Sequence, residues 1–374
     1  MKPVIWRSLF ILMALVGFCR AAEGPDRATM RIGFPDPRLR VHGLAWFEED
    51  APLLRRLPER MKPSLRPAVW SLAQHTSGGR IRLRTDSRRI AITAQAADAS
   101  VMHHFTGVGQ NGLDLYVDGQ YLASAWPDAH GRIAADWRLP DDGSEHEVTI
   151  YLALYKNIAI EEVRLDASAT IGAPSPFARP RPVVYYGSSI TQGGCATNAG
   201  LSYQAIVSRW LNLDFVNLGM SGNGLGEPAL AHAIAEIDSE AVVLDYWGNP
   251  SVEVYRETMP VFVDIIRQKR PDVPIIVIGP LYLCYERLAG PGTITDPEHK
   301  RRISQAFVEG RRAAGDMNIH YVDGREMISA DQPEAYVDGV HPNSLGFYFC
   351  AQGLRPHLER IVGLGTITPE GALP

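Results

Sequence analysis

The stretch PVVYYGSSITQGG, residues 182–194, decides the fold of this chain. Residues 182–186 are apolar, which is typical of a buried strand, and the Gly187-Ser188-Ser189 that follows predicts a tight turn with a serine at its tip. In open α/β sheets, ligands bind at the carboxyl ends of the strands. We therefore expect the hydroxyl of Ser189 to project from that edge of a sheet.

A second polar group lies far downstream, where Asp338 and His341 stand three residues apart. A serine, a base that takes its proton and a carboxylate that orients the base are the parts of a nucleophilic acyl-transfer site. In that site His341 accepts the proton of Ser189, and Asp338 holds the tautomer of the imidazole. Without the serine, Asp338 and His341 could equally bind a metal or cap a helix.

After residue 182 the chain alternates apolar strands with amphipathic helices. Five apolar runs predict strands, at residues 182–186, 215–218, 241–245, 274–278 and 320–322. Helices are predicted over residues 203–211, 255–266 and 345–361, and one more begins at Asp296-Pro297, with Asp296 as its cap. This alternation predicts an α/β fold with a parallel sheet covered on both faces.

The N-terminal half has a different pattern. Its short runs alternate apolar and polar residues, and Asp118-Gly119 between two of them predicts a β-hairpin. We therefore expect an all-β sandwich domain over residues 28–172. A proline-rich linker at residues 173–182 follows it, and the α/β domain covers residues 183–364.

Composition and charge exclude some functions. Because 45% of the 374 residues are hydrophobic and 21% are charged, the chain is expected to fold rather than to stay disordered. The net charge of -5 comes without a long basic block, so no surface for nucleic acid is expected. The basic cluster Arg55-Arg56, with Arg60 and Lys62 nearby, is interpreted as a solvated face.

The first residues are typical of an export signal. The positive charges of Lys2 and Arg7 precede a short apolar stretch at residues 9–18. Residues 1–21 are therefore predicted to be a cleavable signal peptide, and the protein is expected to be periplasmic or extracellular. No other segment approaches transmembrane length, so we expect no membrane span. Three cysteines remain after cleavage, and the sequence leaves both their pairing and the oligomeric state open: Cys195, Cys284 and Cys350.

The turn at Ser189 is not the Gly-x-Ser-x-Gly elbow of α/β-hydrolases, because Thr191 stands where that motif has its last glycine. It resembles the first block of the SGNH (GDSL) hydrolases, Gly-Asp-Ser-(Ile/Leu)-(Thr/Ser). Ser188 replaces the aspartate, as in carbohydrate-active members. Asp338 and His341 match the family's last block, Asp-x-x-His. The resemblance implies a three-layer, flavodoxin-like fold around a five-stranded sheet, with Ser189, Asp338 and His341 as the catalytic residues.

Two further residues match this family. Gly222 follows the second predicted strand and matches the family's glycine, and Asn249 follows the third and matches its asparagine. The oxyanion of acyl transfer needs convergent hydrogen-bond donors. The resemblance implies that the backbone N–H groups of Ser189 and Gly222, with the side-chain amide of Asn249, form this oxyanion hole.

The N-terminal half carries a second resemblance. Residues 112–116, Gly-Leu-Asp-Leu-Tyr, resemble the Gly-x-Asp-Leu-Tyr signature of a β-domain that precedes certain SGNH-type esterases. Residues 151–157 are similar to that domain's Tyr-Leu-Pro-Leu-Tyr-Asn-Gly stretch, with departures at Ala153 and at Lys156-Asn157. The resemblance implies a jelly-roll-like sandwich.

Other side chains allow two interpretations each. Tyr246 and Trp247, close to Asn249, could stack against a sugar ring or belong to the core. His75, with Trp70 and Gln74, could reach the active site or form a strand and turn of the sandwich. Adjacent histidines on a strand point to opposite faces, so the pair His103-His104 is not predicted to bind a metal.

Together these features predict a secreted serine hydrolase that works through an acyl-enzyme. The resemblance to exported members with an N-terminal β-sandwich, with the possible aromatic platform of Tyr246 and Trp247, implies that it cleaves small acyl esters, above all acetyl, from an acylated carbohydrate. No cofactor or metal is expected, because a Ser-His-Asp triad needs none. One alternative is a lipase or thioesterase that acts on longer acyl chains. The other is a glycan-binding module whose hydrolase domain is a relic. The sugar and the ester position stay open.

Overall fold

The structure is a computed structural model that describes residues 29–290 and 292–364. The predicted signal peptide lies outside the described residues. Within these residues, no helix is both long enough and apolar enough to cross a membrane.

The N-terminal half is a sandwich of two antiparallel sheets. Its strands are β1 (Thr29–Gly33), β2 (Arg40–His42), β3 (Arg80–Thr85), β4 (Arg89–Ala96), β5 (Leu113–Val117), β6 (Gln120–Ala125), β7 (Arg132–Arg138), β8 (His146–Tyr151), β9 (Ile158–Asp166) and β10 (Ile171–Gly172). One sheet has the order β1-β9-β4-β7, and the other has the order β10-β3-β8-β5-β6 with β2 beside β3. Apolar residues of both sheets form one core. Three short helices complete this half: α1 (Phe47–Asp50), α2 (Pro67–Ala73) and α3 (Gly107–Asn111).

The C-terminal half is a doubly wound α/β fold. Its strands are β11 (Val183–Gly187), β12 (Phe215–Gly219), β13 (Ala241–Asp245), β14 (Ile275–Ile278) and β15 (Ile319–Val322). Its helices are α4 (Ser189–Gln192), α5 (Tyr203–Leu211), α6 (Pro228–Glu236), α7 (Val252–Lys269), α8 (Asp296–Ala313) and α9 (Ser344–Ile361). All strand pairs are parallel, in the flavodoxin-like order β12-β11-β13-β14-β15. The predicted fold class is confirmed.

The sheet register brings the predicted site loops together. Gly187, the last residue of β11, pairs with Gly219 of β12 and with Asp245 of β13. Every residue of these three strands is buried, as expected of a parallel sheet that helices cover on both faces. The loops that follow the three strands therefore leave the sheet side by side, at one edge.

Several elements differ from those predicted. Helix α6 was not predicted, and α2 occupies the region where a strand and turn was one alternative. The cap of α8 is Thr295, whose side chain accepts a hydrogen bond from the Glu298 N–H, so Asp296 is the first helical residue rather than the cap. The hairpin at Asp118-Gly119 is confirmed. Both of its residues have positive φ, +49° and +77°, as its tight turn requires.

The signature at residues 112–116 docks the two halves onto each other. The buried carboxylate of Asp114 accepts hydrogen bonds from the Gly200 N–H at 2.7 Å and from Asn198 Nδ2 at 3.2 Å. The Tyr116 ring lies against Gly200, where an added Cβ would come within 2.5 Å of it. The ring also contacts the guanidinium of Arg209 in α5, which lies 4.3 Å from the ring centroid. The signature residues thus contact the segment that leads into α5.

Candidate active site

Ser189, His341 and Asp338 form one hydrogen-bonded chain. The Ser189 hydroxyl lies 2.9 Å from Nε2 of His341, and Nδ1 of His341 lies 2.8 Å from Oδ2 of Asp338. If the carboxylate accepts the Nδ1 proton, the lone pair of Nε2 faces the serine. This is the geometry that a base needs to take the proton of a serine nucleophile.

The turn around Ser189 is built from small residues because the backbone packs tightly there. Gly187 lies where any side chain would collide with the Thr191 hydroxyl and the Asp245 carbonyl. The Ser188 side chain caps α4 by accepting a hydrogen bond from the Ile190 N–H at 3.2 Å. Ser189 is the first residue of α4, and N–H groups at such a position have no partner within the helix.

Asp338 is held as an ionised carboxylate. Its Oδ1 accepts the backbone N–H groups of Val340 and His341, at 3.0 and 2.7 Å, while Oδ2 faces the imidazole. Partial burial opposes the charge, but the hydrogen bonds from His341 and Val340 outweigh it and lower the pKa of Asp338 to about 2. The carboxylate therefore keeps its charge throughout the neutral range.

The loops after β12 and β13 bring the predicted oxyanion donors to the same edge. Gly222 is exposed, has a φ of +66° and faces open space. Asn249 Oδ1 accepts the Gly224 N–H at 3.0 Å, so its amide nitrogen points the other way. Gly224 packs against the carbonyl of Gly187, and a Cβ on Gly248 would lie 3.2 Å from Ser188 Oγ. Both loops thus lie against the turn that presents Ser189.

Asn249→Ala is expected to lower kcat for ester hydrolysis by roughly 10²–10³ while the serine stays reactive toward a fluorophosphonate probe. The reason is that, as an oxyanion donor, the side-chain amide would stabilise the developing negative charge without activating the nucleophile. Initial rates with p-nitrophenyl acetate measure the effect. Asn318→Ala is the matched control, because Asn318 directly precedes β15 and so lies at the amino ends of the strands, away from the site. An unchanged rate in Asn249→Ala would remove this residue from the site.

Gln192 joins the N-terminal half to the loop that carries Gly222. Its Nε2 donates to the Leu154 carbonyl at 3.1 Å and to His75 Nδ1 at 3.0 Å, and its Oε1 accepts the Ser221 N–H at 3.0 Å. Gln192 is fully buried. The residue next to Gly222 is therefore positioned through a side chain that the sandwich domain holds in place.

Two more residues of the N-terminal half lie under the site. The Tyr155 hydroxyl donates to the Ser189 carbonyl at 3.2 Å. Arg56 donates to the carbonyls of Gly219 and Asn217 at the end of β12, and burial lowers its pKa to about 9. The prediction of a solvated face was wrong for Arg55 and Arg56, which are 8% and 1% exposed. Arg55 forms ion pairs with two carboxylates, and the backbone carbonyls around Arg56 replace water. The burial of Arg56 depends on β12, more than 150 residues away, so no local pattern signals it.

His75 makes the free energy of unfolding sensitive to acid. Burial, reinforced by the charges of Arg56 and Lys156, lowers the pKa of His75 from 6.5 to about 3. Between these two pH values the unfolded chain binds a proton that the folded chain does not. The free energy of unfolding therefore falls as the pH drops through this window, by up to about 1.4 kcal/mol per pH unit from this residue.

His75→Asn should flatten this slope, because asparagine cannot titrate yet still offers an acceptor to Gln192. Urea unfolding between about pH 4 and 7 measures the slope, and His130→Asn, at an exposed histidine, is the control. An unaltered slope in His75→Asn would contradict the assignment.

The remaining predicted residues lie elsewhere. Tyr246 and Trp247 are 0% and 3% exposed, because the first packs among aromatic rings of the core and the indole N–H of the second donates to Asp245. Of the two interpretations, the structure therefore supports the one in which both side chains belong to the core. Neither ring is available to stack against a sugar. Cys195, Cys284 and Cys350 are all free.

Each half of the chain matches a known family. Residues 180–359 match the model of the GDSL-like lipase/acylhydrolase family, and residues 34–171 match that of the N-terminus of SGNH-hydrolase-type esterases. A comparison with curated proteins gives no match.

Solved structures share the whole two-part architecture. One named as a GDSL-like lipase from Bacteroides ovatus ATCC 8483 is 29% identical, with a TM-score of 0.79 over 90% of this chain and 98% of that one. A salicylyl-acyltransferase from a tetracycline biosynthetic pathway is 22% identical, with a TM-score of 0.73 over 91% and 99%. A family two carbohydrate esterase from Cellvibrio japonicus is 16% identical, with a TM-score of 0.60 over 90% and 98%. At the last two identities the likeness is one of fold.

Proposed function

Because this chain belongs to the GDSL-like lipase/acylhydrolase family and carries the N-terminal domain of SGNH-type esterases, we propose that it is a secreted serine esterase that releases small acyl groups, above all acetyl, from carbohydrates. The observation that carries the proposal is the hydrogen-bonded chain from Ser189 through His341 to Asp338. Export rests on the predicted signal peptide.

The reaction follows from the roles of these side chains. His341 takes the Ser189 proton as the hydroxyl oxygen attacks the ester carbonyl, and Asp338 stabilises the imidazolium that forms. Three donors receive the oxyanion: the N–H groups of Ser189 and Gly222 and the amide of Asn249. His341 then protonates the departing sugar oxygen, which leaves as a hydroxyl. In the second half His341 takes a proton from the water that attacks the acyl-enzyme and returns it to the Ser189 oxygen as the acid is released.

A small acyl group suits what surrounds the serine. Ser189 is only 8% exposed. The loops after β12 and β13, which lie against its turn, carry Gly222, Gly248 and Asn249, and these residues offer little apolar surface. Solved structures that share the fold include family two carbohydrate esterases, one of them in complex with cellohexaose. These relatives direct the proposal toward acylated glycans, and the sugar itself stays open.

One feature favours the alternative of a longer acyl chain. Val337 and Val340, which flank Asp338 in the sequence, are 45% and 36% exposed, and Met102, two residues before His104, is also exposed. A lipase or thioesterase would use such side chains to receive an alkyl tail. The length of the preferred acyl group therefore decides between the two functions.

The deciding measurement is acid release from p-nitrophenyl acetate, butyrate and octanoate and from acetylated xylan and pectin. We expect kcat/KM to fall with each lengthening of the acyl chain, because the loops after β12 and β13 offer little apolar surface to added methylenes. We also expect acetate release from at least one glycan. A maximum at the octanoate would establish the lipase alternative. Glycan binding by folded protein with no hydrolysis of any ester would establish the relic module.

A further inference from the structure

Three side chains of types that bind metals in other proteins meet at the active site, and one of them is the proposed catalytic base. They are His104 of the N-terminal half, Cys195 of the turn after α4, and His341, and one ligand atom of each lies within 4.8 Å of the others. We propose that these three residues bind Zn²⁺ and that the bound ion reversibly inhibits the enzyme by occupying Nε2 of His341. The inhibition, though not the binding, rests on the proposed function.

The donor set and its spacing suit zinc. Zn²⁺ takes thiolate sulfur and imidazole nitrogen in tetrahedral sites, and a site with three protein ligands leaves the fourth position to water. Tetrahedral geometry with ordinary Zn–N and Zn–S bonds puts ligand atoms roughly 3.3–3.6 Å apart. The three donor atoms, which lie within 4.8 Å of one another, therefore need to approach by no more than about 1.2–1.5 Å. The proposal assigns this movement to the His104 ring, which is exposed and whose centroid lies 5.8 Å from that of His341.

His341 already has the orientation of a metal-bound histidine. Its Nδ1 faces the Asp338 carboxylate at 2.8 Å, and ligating histidines characteristically donate their second N–H to such a carboxylate. The lone pair of Nε2 remains, and Ser189 Oγ lies 2.9 Å from it. The metal and the serine hydroxyl therefore compete for the lone pair of Nε2. When Zn²⁺ is bound, His341 cannot act as the base for Ser189.

Contacts between the two halves hold the other two ligands together. Cys195 has a φ of +77° in a turn anchored by the Gly194 N–H, which donates to the Ser189 carbonyl at 2.8 Å. The Thr106 hydroxyl, two residues after His104, donates to the Thr197 carbonyl at 2.6 Å. The interface that supports the catalytic turn thus also brings His104 to Cys195.

Cys195 forms no disulfide bond in this structure. Burial, with the nearby charge of Asp338, raises the pKa of its thiol to about 12, so the sulfur carries its proton at neutral pH. Zinc coordination replaces that proton with the metal and releases it to solvent.

The first test titrates ZnCl₂ into the full chain during hydrolysis of p-nitrophenyl acetate. We expect inhibition that EDTA reverses. His104→Ala and Cys195→Ser should each raise the inhibitory zinc concentration by at least about 10–100-fold. That is the loss of metal affinity typical when a residue that hydrogen-bonds a metal ligand is removed, and loss of a ligand itself should cost no less. The rates without metal should be unchanged. His103→Ala and Cys284→Ser are the matched controls and should be inhibited like the unaltered chain. Inhibition that persists in both ligand variants would overturn the proposal.

The second test measures binding without any need for activity. Ser189→Ala keeps all three ligands, and Co²⁺ bound to it should show the near-ultraviolet sulfur-to-metal charge-transfer absorption of a cobalt thiolate. The double variant Ser189→Ala/Cys195→Ser should lack it. Absence of the absorption in Ser189→Ala would overturn the proposed site. Its presence, combined with no esterase activity in the unaltered chain, would uphold the metal site and count against the proposed function alone.

Discussion

Ser189→Ala is expected to lower kcat for ester hydrolysis by about 10⁴–10⁶, the range that follows loss of the nucleophile from a Ser-His-Asp triad. The alanine leaves His341 and Asp338 in place but offers no oxygen to form the acyl-enzyme. Release of p-nitrophenol from the acetate ester measures the loss. Labelling with a fluorophosphonate probe, which needs an activated serine, should disappear with it.

Ser188→Ala is the matched control for this experiment. It removes the adjacent hydroxyl, which caps α4, and is expected to cost about 0.5–2 kcal/mol of stability without removing the nucleophile. Fluorophosphonate labelling should persist. If the probe instead labels Ser189→Ala and not Ser188→Ala, the nucleophile has been assigned to the wrong serine.

Asp338→Asn is expected to lower kcat by about 10⁴, because the amide imposes the wrong imidazole tautomer. Oδ1 accepts two backbone N–H groups and Oδ2 faces the ring, so an asparagine keeps its oxygen on the backbone and turns its NH₂ toward His341 Nδ1. Nδ1 must then accept, the proton moves to Nε2, and the Ser189 hydroxyl loses its base.

Rates measured from about pH 5 to 8 test this expectation. The pKa of Asp338 is about 2, so the carboxylate is ionised in the unaltered enzyme over the whole window, and the loss should extend across it. Asp331→Asn, on an exposed loop, is the control and should leave the rate unchanged. A loss below about tenfold in Asp338→Asn would show that another group orients the imidazole.

Prediction succeeded best where local pattern and tertiary environment agree. Helix α5 and strand β13 have the bounds that their apolar residues indicated, because one helix face or a whole strand is buried and the pattern reports that burial. Helix α6 was missed for the opposite reason. Most of PALAHAIAE, residues 228–236, is alanine or apolar, so it has little contrast between its faces.

The proposed catalytic residues were found because each stands in a short block at the end of an element. The residues that support them were not. Gln192 and His75 are 117 positions apart, and Arg56 and Gly219 are 163 apart. Hydrogen bonds between residues so far apart produce no local sequence pattern from which they could be predicted. The same holds for His104, which reaches His341 only because the sandwich docks on the turn after α4.

By itself, the sequence determined the parallel sheet, the β-rich half before it, and the order of Ser189, Gly222, Asn249, Asp338 and His341 along the chain. These depend on apolar periodicity and on turns, both of which are local properties. Only the tertiary structure decided which side chains are accessible. It enclosed Trp247 and Arg56, and it brought His104 to the proposed base. Burial and proximity belong to the neighbours that a residue acquires on folding, and for Arg56 and His104 those neighbours include residues of the other half of the chain.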